Sequence, residues 1–171
     1  MTGVQTCALP IWPLLHGERV TVAGRFFAAD DAVLLPPPAR PIPILSSARG
    51  GRMMRIVARW ADAWNGAWVA RPDDPTLAAR VEDLARACEE VGRDPGAVER
   101  TVGVSIRFPD ATLPGPSGDR QKDLMGDAAA IAAGLDAFAR AGYRHAMIWP
   151  EPMTIGSVER VAEAVRLLRG R

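Results

Sequence analysis

Apolar positions recur along this chain at two periods, and the switches between them mark out its elements. From 18 to 38 the sequence ERVTVAGRFFAADDAVLLPPP alternates apolar and polar residues around Gly24. A period of two predicts a β-hairpin or two short extended arms, ended by Pro36, Pro37 and Pro38. PIPIL (41–45) is short and apolar throughout, as expected of a buried strand. Gly50 and Gly51 then open a helix to about Trp60, with Met53, Val57 and Trp60 expected on one face. ADAWN (61–65) predicts the next short strand.

The clearest helix lies in RPDDPTLAARVEDLARACEEVG. Asp74 is placed to cap it, Pro75 takes the first helical position, and Gly92 ends it. Leu77, Val81, Leu84, Cys88 and Val91 recur at helical spacing. TVGVSIRF (101–108) predicts a strand, and residues 109–126 a polar loop rich in Pro and Gly. A helix is expected from Asp127 to Ala141, with Ile131, Leu135 and Phe138 inward and Gly142 as its stop. HAMIW (145–149) predicts a strand, and 157–169 a last helix burying Val158, Val161, Val165 and Leu168.

After the hairpin the order is therefore β-α, four times over. Alternating strands and helices imply an α/β fold with parallel strands and right-handed crossovers. Four such units make half of an eight-unit barrel, which takes about 250 residues in full. An open four-stranded α/β sheet is the competing architecture.

Composition narrows the functional classes. The charges nearly cancel, 21 basic against 20 acidic, which argues against nucleic-acid or anionic-membrane partners. No apolar stretch is long enough to span a bilayer. Cys7 and Cys88, the two cysteines, lack metal-ligand spacing, so a cytoplasmic location is the default expectation. His16 and His145 have no partner at ligand spacing, and no metal site is expected.

The run AGRFFAADDAVLLPPPARPIPILSSARGGRMMRIVARWADAWNGAW resembles the bacterial luciferase-like monooxygenase family. The residues that carry the resemblance are Gly24-Arg25-Phe26, Pro41, the loop Ser46 to Gly51, Arg52-Met53-Met54-Arg55, Ala58-Arg59-Trp60-Ala61-Asp62 and Trp64-Asn65. The late GLDAFARAGYRHAMIWPEP is similar to that family's final helix and strand. The resemblance covers roughly residues 17–171. Ser47-Ala48 stand where the family usually has Gly-Gly, Gly51 where it has Pro, and Arg49 is bulkier than the usual small residue. The resemblance implies the C-terminal half, strands five to eight, of a TIM (β/α)8 barrel preceded by a β-hairpin insertion. It implies FMN or the deazaflavin coenzyme F-420 as cofactor and a small-molecule substrate. It also implies that the ring-binding wall and the acid/base residues belong to the other half. No catalytic residue is therefore assigned here.

The first eleven residues, MTGVQTCALPI, resemble a translation of a common short-read sequencing adapter. Residues 1–11 are accordingly expected to be a non-native segment joined to a truncated gene, which takes Cys7 out of any redox argument. Residues 12–40 are then a loop and the hairpin insertion, and 41–171 the half barrel.

The expected cofactor-binding residues are Ser46, Ser47, Ala48, Arg49, Gly50, Gly51, Trp64 and Asn65. A small-residue loop between strand and helix presents backbone N–H groups that bind phosphate, helped by the helix dipole. Read without the resemblance, it is more simply an ordinary βα turn. Trp64 and Asn65 end the next strand and suit either a pocket wall or a core Trp with a turn Asn. Trp68 is expected at the pocket edge, and Glu151 as a solvated loop carboxylate. The parent is expected to be an oxidoreductase or monooxygenase, with this chain inactive alone. The competing reading is a non-catalytic α/β protein that binds a phosphate ligand or self-associates through open sheet edges.

Overall fold

The computed structural model describes residues 5–25, 28–111, 119 and 122–170. Phe26 of the Gly-Arg-aromatic motif, Met1 to Val4 and most of 112–121 lie outside these described residues.

A helix, α1 (Gln5–Leu15), crosses the expected junction at residues 11 and 12, so 12–15 are helical rather than loop. Trp12 of α1 stacks on His16 and meets Trp60 at 5.8 Å. The hairpin forms as its alternation predicts: β1 (Val20–Ala23) and β2 (Ala28–Ala32) pair antiparallel, with a register shift between Val20 and Val22.

The main sheet is parallel throughout. It contains β3 (Leu45–Ser46), β4 (Ala63–Trp68), β5 (Glu99–Arg107), β6 (Asp123–Met125) and β7 (His145–Glu151), and β5 pairs with β4, β6 and β7. The intervening helices are α2 (Gly51–Trp60), α3 (Pro75–Glu90), α4 (Ala128–Arg140) and α5 (Ile155–Arg169). The four predicted βα units are all present.

Four local expectations are corrected. PIPIL forms strand only at its end, because Pro41 and Pro43 have no N–H to give a ladder. Pairing starts where Ile44 accepts from Asp62 and Ala63 and donates to the Asp62 carboxylate. The 109–126 loop contains a short strand, β6, which extends the β5 edge beyond β4. The buried face of α2 is Met54, Val57 and Ala58, whereas Met53 is 37% exposed. In α5 it is Ser157 and Ala164 that are buried, and Val158 is exposed.

The long helix is capped as its sequence requires. Asp74 accepts from the N–H groups of Thr76 and Leu77, and Gly92 takes a φ of 71° just past the helix end. Leu77, Leu84 and Cys88 are fully or almost fully buried. On one face of β5, Val102, Val104 and Ile106 pack against Ile131, Leu135 and Phe138 of α4. The other face bears Thr101, Gly103, Ser105 and Arg107, all buried. Gly103 is required there, since a Cβ would lie 2.5 Å from Cδ2 of Trp68.

Two predictions follow from this packing. Gly103→Ala must displace Trp68, and is expected to destabilise the chain by about 1–3 kcal/mol in urea unfolding, as overpacking does. Burial pushes the Cys88 thiol up, partly offset by the charge of Arg93, and burial likewise raises Tyr143. Both groups hold their protons more tightly when folded. Stability is therefore full below the unfolded thiol range and falls as pH rises through the folded values. Unfolding midpoints measured from neutral to strongly alkaline pH test this, and a flat profile contradicts it.

Candidate functional site

The loop between β3 and α2 sits at the C-terminal end of the parallel strands, where open α/β sheets and barrels place their ligands. It is fixed from beneath. Trp64 is fully buried, and its indole N–H donates to the Ala48 carbonyl at 3.2 Å. Ala48 is itself buried, while Ser47, Arg49, Gly50 and Gly51 are exposed. The loop is thus held at its middle and free at its rim.

Gly50 is the N-cap of α2, with φ 77° and ψ 149°, and among the described residues no side chain caps the N–H groups of the first turn. The three later helices differ. Asp74, Asp127 and Thr154 each accept a backbone N–H at the start of α3, α4 and α5. Arg52 and Arg55 also stand in the opening turns of α2. Cations there oppose the helix dipole, which favours negative charge at that end. Arg55 reaches Glu90 at 3.6 Å.

A further cation comes from α3. The Arg80 guanidinium donates to the Gly66 carbonyl at 2.7 Å, which holds it against the C-terminal half of β4. Burial lowers its pKa, and the nearby positive charge of Arg49 lowers it further, against a smaller opposing effect of Asp74. Two guanidinium groups within electrostatic reach of one another, next to an uncapped helix start, make a locus that an anion would stabilise.

The expected site residues divide into three places. Ser47, Arg49, Gly50 and Gly51 form the exposed rim, with Ala48 as its anchor. Ser46 shares a register position with Trp64 and lines a small apolar cavity with Ile11, Ile44, Val57 and Trp60. Trp64 is a core residue that braces the loop, so its reading as a pocket wall is corrected. Asn65 lies on the opposite face of β4, 5% exposed, donating to Thr101 Oγ1 at 3.3 Å. Trp68 reaches this same inner face over Gly103 and meets Trp149 edge-to-face at 6.3 Å. Trp149 lies within 3.4 Å of the half-buried Glu151 carboxylate, to which its indole donates. His145, at the start of β7, is exposed at the opposite end of the strands.

A second cleft, of about 370 Å³, opens between Phe108, Asp110, Gly126, Asp127, Arg160 and Glu163. It does not suit an anion: Asp127 already occupies the α4 N-terminus, and Arg160 is paired with Asp110 at 3.1 Å. That pairing, first through the hydrogen bond from Arg160, holds the Asp110 carboxyl below its usual range. Among the described residues no cluster of His, Cys, Asp or Glu could hold a metal ion. No described helix is long and apolar enough to cross a membrane.

Arg80, Ser105, Arg107 and Asp123 escaped the sequence reading. The signal for two of them was present. Thr101, Gly103, Ser105 and Arg107 alternate with Val102, Val104, Ile106 and Phe108, so the strand has a polar side as well as an apolar one.

The profile of the family described as luciferase-like monooxygenase matches residues 10–110. An F420-dependent hydroxymycolic acid dehydrogenase of Mycobacterium tuberculosis is 32% identical over 82 residues, 48% of this chain and 22% of that protein. A phthiodiolone/phenolphthiodiolone dimycocerosates ketoreductase of a Mycobacterium species (strain JLS) is 31% identical over 137 residues, 77% of this chain and 34% of that protein. Among solved structures, an F420-dependent secondary alcohol dehydrogenase in complex with an F420-acetone adduct superposes with a TM-score of 0.72 at 17% identity. That superposition covers 96% of this chain and 60% of the dehydrogenase, and shows a shared fold. The chain spans between 22% and 34% of the length of these two curated relatives.

Trp64→Phe is expected to keep the core filled but to leave the buried Ala48 carbonyl without its donor, at about 1–3 kcal/mol. Faster amide exchange confined to residues 47–51, measured by hydrogen–deuterium exchange, checks that the indole holds the loop.

Proposed function

The chain belongs to the luciferase-like monooxygenase family, and on that premise we propose that it carries the cofactor-phosphate end of a flavin- or deazaflavin-dependent oxidoreductase site. The carrying observation is the α2 start that no side chain caps, set among Arg49, Arg52 and Arg80. In this reading the N–H groups of the first turn of α2 and the Ser47 hydroxyl bond the phosphate oxygens, and Arg49 and Arg80 neutralise them. Gly50 allows close approach, since its φ of 77° disfavours any side chain. Trp64 keeps the loop in place without touching the ligand.

The cofactor itself supplies hydride transfer or oxygen activation when bound. The chain's residues bind and orient it. β3, β4, β5 and β7 then correspond to strands five to eight of a (β/α)8 barrel, and a small-molecule substrate sits against their inner face. The acid/base groups belong to the remaining strands, so the 171-residue chain is expected to bind cofactor without turning substrate over. The F420-dependent relative and fold neighbour support the deazaflavin over FMN.

A second reading rests on the edges of the sheet. Among the described residues β7 pairs with β5 alone, and Trp149, Met153 and Ile155 beside it are exposed. Such an edge pairs readily with another chain, which supports self-association as the property of the isolated half barrel.

The phosphate assignment is tested by fluorescence titration of the chain with coenzyme F-420, FMN and riboflavin. A phosphate-bearing cofactor is expected to bind at least about tenfold tighter than riboflavin, as charge-assisted bonds require. Gly50→Val and Arg49→Ala are expected to remove that margin. Equal binding of FMN and riboflavin, with no binding of coenzyme F-420, refutes the reading.

A further inference from the structure

The inner face of β5 carries polar atoms that the described chain leaves unmet. Arg107 Nε and Nη2 donate to one oxygen of Asp123, Oδ2, at 2.9 and 2.6 Å. The two side chains are 7% and 0% exposed, so this is a buried ion pair. The other carboxylate oxygen, Asp123 Oδ1, has no hydrogen-bond partner, and neither has Ser105 Oγ. Ser105 is fully buried. Buried polar atoms are rarely left so, and each calls for a group that completes it.

The residues that carry these two atoms stand on adjacent strands. Ser105 and Asp123 are register partners across β5 and β6, on strands about 4.8 Å apart. On its other side Ser105 is paired in register with Trp149. Trp149 and Met125 are 41% and 57% exposed. Exposed apolar side chains therefore flank the polar pair on both neighbouring strands, Met125 on β6 and Trp149 on β7.

We propose that Ser105 and Asp123 bind a neutral hydroxyl group of the ligand, which donates to Asp123 Oδ1 and accepts from Ser105 Oγ. The chemistry selects this class. Arg107 already neutralises Asp123, so a charged group would lose its hydration without a counter-charge in return. A hydroxyl supplies both the donor that the carboxylate oxygen lacks and an acceptor for the serine proton. A ketone accepts but cannot donate, and leaves Asp123 Oδ1 unmet. Resting on the oxidoreductase reading, the hydroxyl has two sources: the substrate, or the polyol chain of a flavin-type cofactor.

Calorimetric titration of the full chain separates these sources. 2-Hexanol against 2-hexanone probes a substrate hydroxyl, and riboflavin against lumiflavin, which lacks the polyol chain, probes a cofactor hydroxyl. In one pair the hydroxyl-bearing compound is expected to bind about tenfold tighter, the effect of a hydrogen bond to a charged group. Ser105→Ala, with its fold checked by circular dichroism, is expected to abolish that preference. A preference within the alcohol pair assigns the site to the substrate, and one within the flavin pair assigns it to the cofactor. The wild-type comparison stands even if the variant fails to fold. No preference in either pair, or a preference unchanged in Ser105→Ala, overturns the proposal and leaves the two atoms to a buried water. None of these probes carries phosphate, so the outcome is independent of the phosphate discrimination at the α2 loop.

Discussion

A parallel strand has to be buried on both faces, and β5 is where this chain meets that requirement. It pairs with three other strands of the sheet. Towards α4 it is covered by ordinary apolar packing through Val102, Val104 and Ile106. The other face is covered differently. Trp68 lies directly on Gly103, and Arg107 and Asp123 close off the end as a buried pair. Without Gly103 the indole has no room. Without Asp123 the guanidinium is a buried charge with its main counter-ion gone, a loss of about 3–5 kcal/mol. Every inner-face feature, from Asn65 to Trp149, takes its position from this strand.

The α2 loop depends on the same sheet by a second route. Trp64 points to the helix side of β4 and holds Ala48 by its carbonyl, and Arg80 is tied to Gly66 two residues further along. The strand therefore fixes both the loop and the cation beside it. Rigid support beneath an exposed, uncapped helix start is what a phosphate site needs, because the binding groups are then aligned before the ligand arrives. The cost is an accumulation of like charge at Arg49, Arg52 and Arg80, and an anion relieves it. Together the two regions describe a surface with a charged rim at β3 and β4 and a neutral, partly aromatic floor at β5 and β7. A ligand with a phosphate tail and a less polar body matches that division.

The hairpin and the order of the four strand–helix units were legible in the sequence, because helix caps and periodicity are local. Asp74, Pro75 and Gly92 bounded α3, and the spacing of Ile131, Leu135 and Phe138 marked the buried side of α4. The luciferase-like resemblance was also legible, since it rests on a contiguous run of residues that the family profile also matches. The rim of the loop could be named for the same reason: glycine at positive φ and small residues before a helix are local signals. What periodicity could not resolve was which neighbouring residue faces inward at an irregular place. Met53 and Met54 are adjacent, and packing against α3 chose Met54. The register shift in β4 between Asn65 and Trp68 moved Trp68 onto the inner face.

Only the tertiary structure decided the partnerships between distant residues. Trp64 with Ala48, Arg80 with Gly66, and Arg107 with Asp123 join residues 14–16 positions apart. No spacing rule pairs them, because their contact follows from strand register and not from the turn of one helix. The sequence alone determined the hairpin, the four strand–helix units and the family they resemble, but neither α1 nor β6. The parallel sheet then determined which polar side chains are buried, which are paired, and which, at Ser105 and Asp123, keep an atom without a hydrogen-bond partner among the described residues.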